Sequence, residues 1–300
     1  MRGCEQSCIL VLLRSRVPAL RQDRKSQPLK PTAIAKCDAV PQHFYQSILV
    51  ELTQTTFLTL QVASSAACQY GCFMCCVISF VNTKGGVGKS FLSTSMAVWL
   101  HDQGHPVTLI DSDDQKTSSK WISDIEDHAV EIITLEEKTE DLRADELRIR
   151  INERKRQSGY IVVDTKGSAG LTTSAAVIKS DVTCIPLQPS AADIWPLESA
   201  LSVVRLSQEV RSGLPRSLLI LNQIDHRDKG AQQVRHLARK YEIPVALVGV
   251  KRLRCFRDSP GHRLAPTRST GKNDASSDLL VRLFEEILSV TNEPRRILNG

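Results

Sequence analysis

From residue 77 onward the chain alternates short apolar runs with longer stretches whose apolar positions recur every three or four residues. The runs near 77–82, 107–111, 130–134, 160–164, 182–187, 217–222 and 244–249 predict strands. The stretches near 89–103, 115–127, 138–156, 171–180, 196–211, 229–240 and 276–290 predict helices. Such alternation predicts an α/β fold: a doubly wound, mostly parallel sheet with helices on both faces and right-handed crossovers. Its ligand chemistry is expected at the carboxyl edge of the sheet. Upstream the pattern breaks down, since residues 1–73 carry Gln27-Pro-Leu-Lys-Pro31, scattered charges and no sustained period. Cys8–Leu13 is too short for a membrane span and is followed at once by Arg14 and Arg16. We expect 1–73 to be a disordered or dispensable extension with Met74 the natural start, 74–292 to be the domain, and 293–300 a tail.

The first strand runs into Lys84-Gly-Gly-Val-Gly-Lys-Ser90, and a helix begins near Lys89. Gly85, Gly86 and Gly88 permit positive φ and close backbone approach, so that successive amides, with that of Val87 among them, form an anion-binding nest. Lys89 adds a cation, the helix N-terminus adds unpaired N–H groups, and Ser90 offers a hydroxyl to Mg²⁺. Thr83 stands where the common phosphate loop has its first glycine, which makes this the K-G-G-x-G-K-[ST] variant with a second lysine, Lys84.

Two more predicted strands end in carboxylates. His105–Gln115 reaches Asp111, Asp113 and Asp114, and Gly159–Gly167 reaches Asp164-Thr-Lys-Gly. Asp164 can hold Mg²⁺ through water, and the small residues after it can respond to a γ-phosphate.

With these motifs the chain resembles the ParA/MinD family of deviant Walker A ATPases, and most of all the short ParA-type plasmid and chromosome partition ATPases. The likeness spans roughly residues 74 to 290 and includes Ile185-Pro-Leu-Gln-Pro-Ser190 and Asp193-Ile-Trp195. It implies a homodimer closed over ATP and Mg²⁺, in which Lys84 reaches the partner's phosphates and Asp113 positions the attacking water, with Asp111 and Lys89 in the same catalytic set. Phe91 and Asp114 depart from the family pattern. Phe91 stands where Thr or Ser usually contacts the α-phosphate, and Asp114 replaces a Pro, adding charge beside Asp113 and loosening the turn. Weaker affinity and slow or regulated turnover are the expectation.

Leu218–Leu221 followed by Asn222-Gln-Ile-Asp225 is reminiscent of guanine readers, but Gln223 stands at the expected lysine. We take Asn222 as an adenine contact, with ATP preferred to GTP.

The chain has 300 residues, 41% of them hydrophobic and 24% charged, enough for one sizeable α/β domain. Its formal charge of +6 owes much to residues 1–73, which hold eight Lys/Arg against four Asp/Glu. Between Arg235 and Lys272, ten Lys/Arg face two acids, Glu242 and Asp258. That stretch is either a solvated face or a surface for phosphate backbones. The resemblance implies nonspecific duplex DNA binding by the ATP-loaded dimer through this part of the chain, with Arg252, Arg254 and Arg257 as candidates. It also implies a centromere-binding partner protein and a cytoplasmic protein that associates with the nucleoid when ATP-bound.

Seven of the nine cysteines lie at or before residue 76. Cys68-x3-Cys72-x2-Cys75 has iron–sulfur spacing and could recruit Cys76 for zinc, but it runs straight into the first strand; reduced thiols are expected. The alternatives are a MinD-like membrane-associated positioning ATPase and a nucleotide-sensing DNA-binding regulator with little turnover. Against the first, the final helix carries Asp278, Glu285 and Glu286 where a lipid-binding face needs lysines. Against the second, residues 1–73 show no helix-turn-helix pattern.

Overall fold

The computed structural model describes residues 75–292 apart from 137, 158, 190–193, 225–230, 254–262 and 269–273. Strands β1 (Cys76–Phe80), β2 (Val107–Asp111), β3 (Glu131–Thr134), β4 (Tyr160–Asp164), β5 (Val182–Leu187) and β6 (Arg216–Leu221) form one parallel sheet in the order β3-β2-β4-β1-β5-β6. Between them lie α1 (Lys89–Asp102), α2 (Thr117–Asp124), α3 (Glu140–Arg154), α4 (Leu171–Lys179), α5 (Ile194–Val210), α6 (Ala231–Lys240) and, after a 3₁₀ turn at Pro266–Arg268, α7 (Asp274–Asn292). The doubly wound parallel sheet read from the sequence is the fold observed.

The inner strands read as unbroken apolar runs because a parallel sheet is covered on both faces. Alternate residues supply two separate cores. Ile78, Phe80, Leu109 and Val162 pack with α1, α2 and α7, whereas Val77, Ile110, Ile161 and Val163 pack with α3 and α4. On α7, Leu280, Leu283, Phe284 and Ile287 are fully buried and Phe284 meets Trp99. Each such burial contributes about 1.5–3 kcal/mol, which makes this helix a wall of the core. Among the described residues no helix is long and apolar enough to cross a membrane.

One predicted element differs. The strand expected at 244–249 is only a parallel bridge of Val245 to Leu219, with a second bridge between Lys251 and Ile224. Pro244 has no N–H to give. The N–H groups of Leu247 and Val248 turn instead to the Glu286 carboxylate on α7, at 2.8 and 3.2 Å. The ladder therefore breaks between Ala246 and Val250, whose amides return to Leu219 O and Leu221 O.

Residues 1–73 and 293–300, for which an extension and a tail are expected, lie outside the described residues, as do Cys68 and Cys72. Cys75, Cys76 and Cys184 are unbridged, and burial pushes the Cys76 thiol up to about 12. Among the described residues no cluster of three or more His, Cys, Asp or Glu could hold a metal ion.

Candidate nucleotide site

The register of the sheet assembles the site. Phe80, Asp111 and Asp164 are neighbours across β1, β4 and β2, so the loops leaving these strands emerge side by side. Thr165 Oγ1 donates to Phe80 O at 2.8 Å, and Ser112 donates to Asp164 O through both its amide and its hydroxyl. These bonds tie the three strand ends together.

After β1, buried Asn82 anchors the glycine loop: its Nδ2 donates to Pro186 O at 2.8 Å, and its Oδ1 accepts the Lys84 amide at 2.9 Å. Gly86 and Gly88 have φ of 75° and 93°, as the nest geometry requires, but Gly85 does not share this conformation. A Cβ on Gly85 itself would meet nothing within 4 Å; the tight position is Gly167, where an added Cβ would lie 3.0 Å from the Gly85 backbone. The loop after β4 thus rests directly on the glycine loop. Gly88 is the N-cap of α1 and no side chain caps that end, which leaves its N–H groups to an anion. Lys89 is 6% exposed and gives Nζ to Lys84 O at 3.0 Å. Burial lowers its pKa, against the opposing pull of Asp164 and Asp113.

Asp164 is fully buried, and among the described residues neither of its oxygens has a hydrogen-bond partner of good geometry. Burial, reinforced by Asp111, raises its carboxyl to about 7, while the nearby Ser90 and Ser118 hydroxyls and Lys89 pull the other way. An unsatisfied carboxylate costs a folded protein free energy unless something completes it. Hard oxygen donors beside a phosphate nest suit Mg²⁺, which takes one or two protein groups and fills its octahedron with phosphate and water. Ser90 and Asp164 fit that ion.

Asp111, by contrast, is fully occupied. Its Oδ1 accepts the Asp113 amide at 3.1 Å, and its Oδ2 accepts the Ser119 amide and hydroxyl at 2.9 and 2.6 Å. It holds the start of α2 and acts on the site through its charge on Asp164. Half-buried Asp113 faces Lys89 and takes the Gln115 amide on Oδ1 at 3.0 Å. Asp114, expected to add charge beside Asp113, has its carboxylate paired with both Arg143 and Lys166. Neither cation stood out in the sequence.

Residues 78–263, more than half of the chain, match the CobQ/CobB/MinD/ParA nucleotide binding domain. The chain belongs to this family. Maintenance of carboxysome distribution protein A of Halothiobacillus neapolitanus is 22% identical over 214 residues, covering 70% of this chain and 95% of that protein. The sporulation initiation inhibitor protein Soj of Bacillus subtilis is 25% identical over 200 residues, 55% of this chain and 79% of that one. Septum site-determining protein MinD of Pyrococcus horikoshii, solved with Mg-ADP, superposes with a TM-score of 0.53 at 18% identity, over 73% of this chain and 98% of that one. This last likeness is one of fold. The chain is a ParA/MinD-family protein related to partition and positioning proteins.

Asn222, taken as an adenine contact, and Phe91, where the family's hydroxyl is missing, are both fixed by neighbours in the structure. Asn222, expected at adenine, is 2% exposed and lies behind the glycine loop. Its Nδ2 donates to Val87 O at 2.7 Å, its Oδ1 accepts the Gln223 amide, and a Cβ on Gly88 would collide with it. Through these two bonds it braces the glycine loop. Phe91 stacks on Trp121 with ring centroids 5.9 Å apart. Its departure from the family's hydroxyl is therefore a packing choice on the α1–α2 side of the core.

Gln188 and Gln223, given no contact of their own from the sequence, both donate to Gly86 O, at 3.2 and 2.8 Å, and Gln188 also donates to Gln223 Oε1 at 2.8 Å. Arg252 is exposed and reaches the same Gln223 oxygen at 3.4 Å, which sets it at the edge of the nucleotide site. Arg254, Arg257, Ser190, Asp193 and Asp225 lie outside the described residues, and so does the Trp195 side chain.

Proposed function

We propose that this protein is an ATPase whose ATP-bound homodimer binds nonspecific duplex DNA and so segregates or positions plasmid or chromosomal DNA. The observation that carries the reading is the buried Asp164 carboxylate, without a hydrogen bond of good geometry, beside Ser90 and Lys89 at the foot of a glycine nest. Bound Mg²⁺ would neutralise phosphate charge there. Lys89 and the amides of residues 85–90 grip the phosphates, and Asp113 orients the attacking water. Lys84 completes the partner's site, so turnover depends on assembly. Exposed Arg252, with Arg254 and Arg257, supplies cations for the DNA backbone. A centromere-binding protein that stimulates hydrolysis is the expected partner. The carboxysome-distribution relative widens the class of cargo such a switch can serve. Cytoplasmic and nucleoid placement follows from the same scheme.

ATP turnover and DNA retention, measured with and without duplex DNA for wild type and Lys84→Ala, test this. Wild type is expected to hydrolyse ATP faster with DNA, and Lys84→Ala to bind ATP yet lose turnover. DNA binding insensitive to ATP, with no lysine-dependent hydrolysis, would replace this reading with the regulator.

A further inference from the structure

The residues around Asp113 are held by a device whose anchor, Arg143 on α3, lies outside the sequence motifs. Arg143 sits in the first turns of α3 with its side chain only 6% exposed. Its guanidinium grips both neighbours of Asp113: one nitrogen donates to Ser112 O at 2.5 Å, the other to the Asp114 carboxylate. The second Asp114 oxygen accepts Lys166 Nζ at 2.5 Å, and Lys166 belongs to the loop after β4 that rests on Gly85 through Gly167. From the same turn of α3, Glu140 Oε1 accepts the Thr172 amide at 3.0 Å, fixing the far end of that loop where α4 begins.

We propose that Arg143 and Lys166 are positioning residues for hydrolysis. Arg143 fixes Asp113 by gripping the residues on either side of it, and Lys166, through Asp114, yokes that loop to the one after Asp164. The proposal rests on the ATPase reading above. Magnitudes separate the two parts. Arg143 is a buried charge, and stripping its partner is costly. Lys166 and Asp114 are 40% and 38% exposed, and a pair of that kind adds about 0–1 kcal/mol to stability. Its effect falls on geometry, because a catalytic group displaced by an ångström forfeits rate out of proportion to the strength of the ion pair that held it.

The experiment is a double-mutant cycle on Lys166→Met and Asp114→Asn, with Lys166→Arg as the conservative rescue. Fluorescent-ATP binding, kcat, and hydrogen exchange of residues 112–116 and 165–170 without nucleotide are read in parallel. Lys166→Met is expected to leave ATP affinity within about threefold, lower kcat about tenfold and speed exchange in both loops. Lys166→Arg should restore kcat, and the double variant should fall no further than the worse single. A Lys166→Met kcat within about twofold of wild type, or losses that multiply in the double variant, overturns the proposal. Should wild type neither bind nor hydrolyse ATP, the functional reading fails by itself. Exchange then decides the yoke alone, and unchanged exchange in Lys166→Met removes it too.

Discussion

Asp111 and Asp164 stand abreast as register partners at the ends of β2 and β4, yet Asp111 is held by three hydrogen bonds while Asp164 has no partner of good geometry. The pair divides the work: one carboxylate fixes α2, and its negative charge helps to keep the other poised for a cation.

That poise makes stability depend on pH. The Asp164 carboxyl is raised from 3.8 to about 7, so the folded protein holds a proton that the unfolded chain releases. The penalty is absent below the lower value, grows as pH rises between the two, and is complete above about 7, at a few kcal/mol in magnitude. Asp164→Asn should therefore stabilise the nucleotide-free protein more at pH 8 than at pH 5, in denaturant unfolding. Saturating Mg-ATP should reverse the ranking.

Asn222→Ala removes the amide that braces Val87 O and leaves that buried carbonyl unpaired, a loss of about 1–3 kcal/mol. ATP and GTP should both bind more weakly by a similar factor. A change confined to ATP, in competition binding, would return Asn222 to the base.

Phe91→Thr reinstates the family's hydroxyl at the expense of the stack on Trp121. Melting temperature should fall, in keeping with a loss of about 1–3 kcal/mol of packing. ATP affinity measured below the new melting point should rise.

The sequence was most legible where chemistry is local. The glycine loop, Lys89, Ser90 and Asp164 all lie at or within ten residues of a strand end, and the sheet register delivers them to one edge. Legibility ended where a role depends on which element docks where. Arg143 reads as one more charge on an amphipathic helix, and only the seating of α3 brings it 29 residues back to Asp114. Asn222 carries a motif's identity, while its bond to Val87 O became visible only in the fold. The broken ladder after Pro244 follows from Glu286 on a helix that the strand's own pattern could not foresee.

Gly167 has the least chemistry of any residue in the loop after β4, and its bare Cα lets two loops lie so close that an added Cβ would sit 3.0 Å from the Gly85 backbone. Packing that tight leaves no slack. Were a phosphate to shift the first loop, the second would have to follow, and under the proposed function Gly167 would join a sensor to its lever.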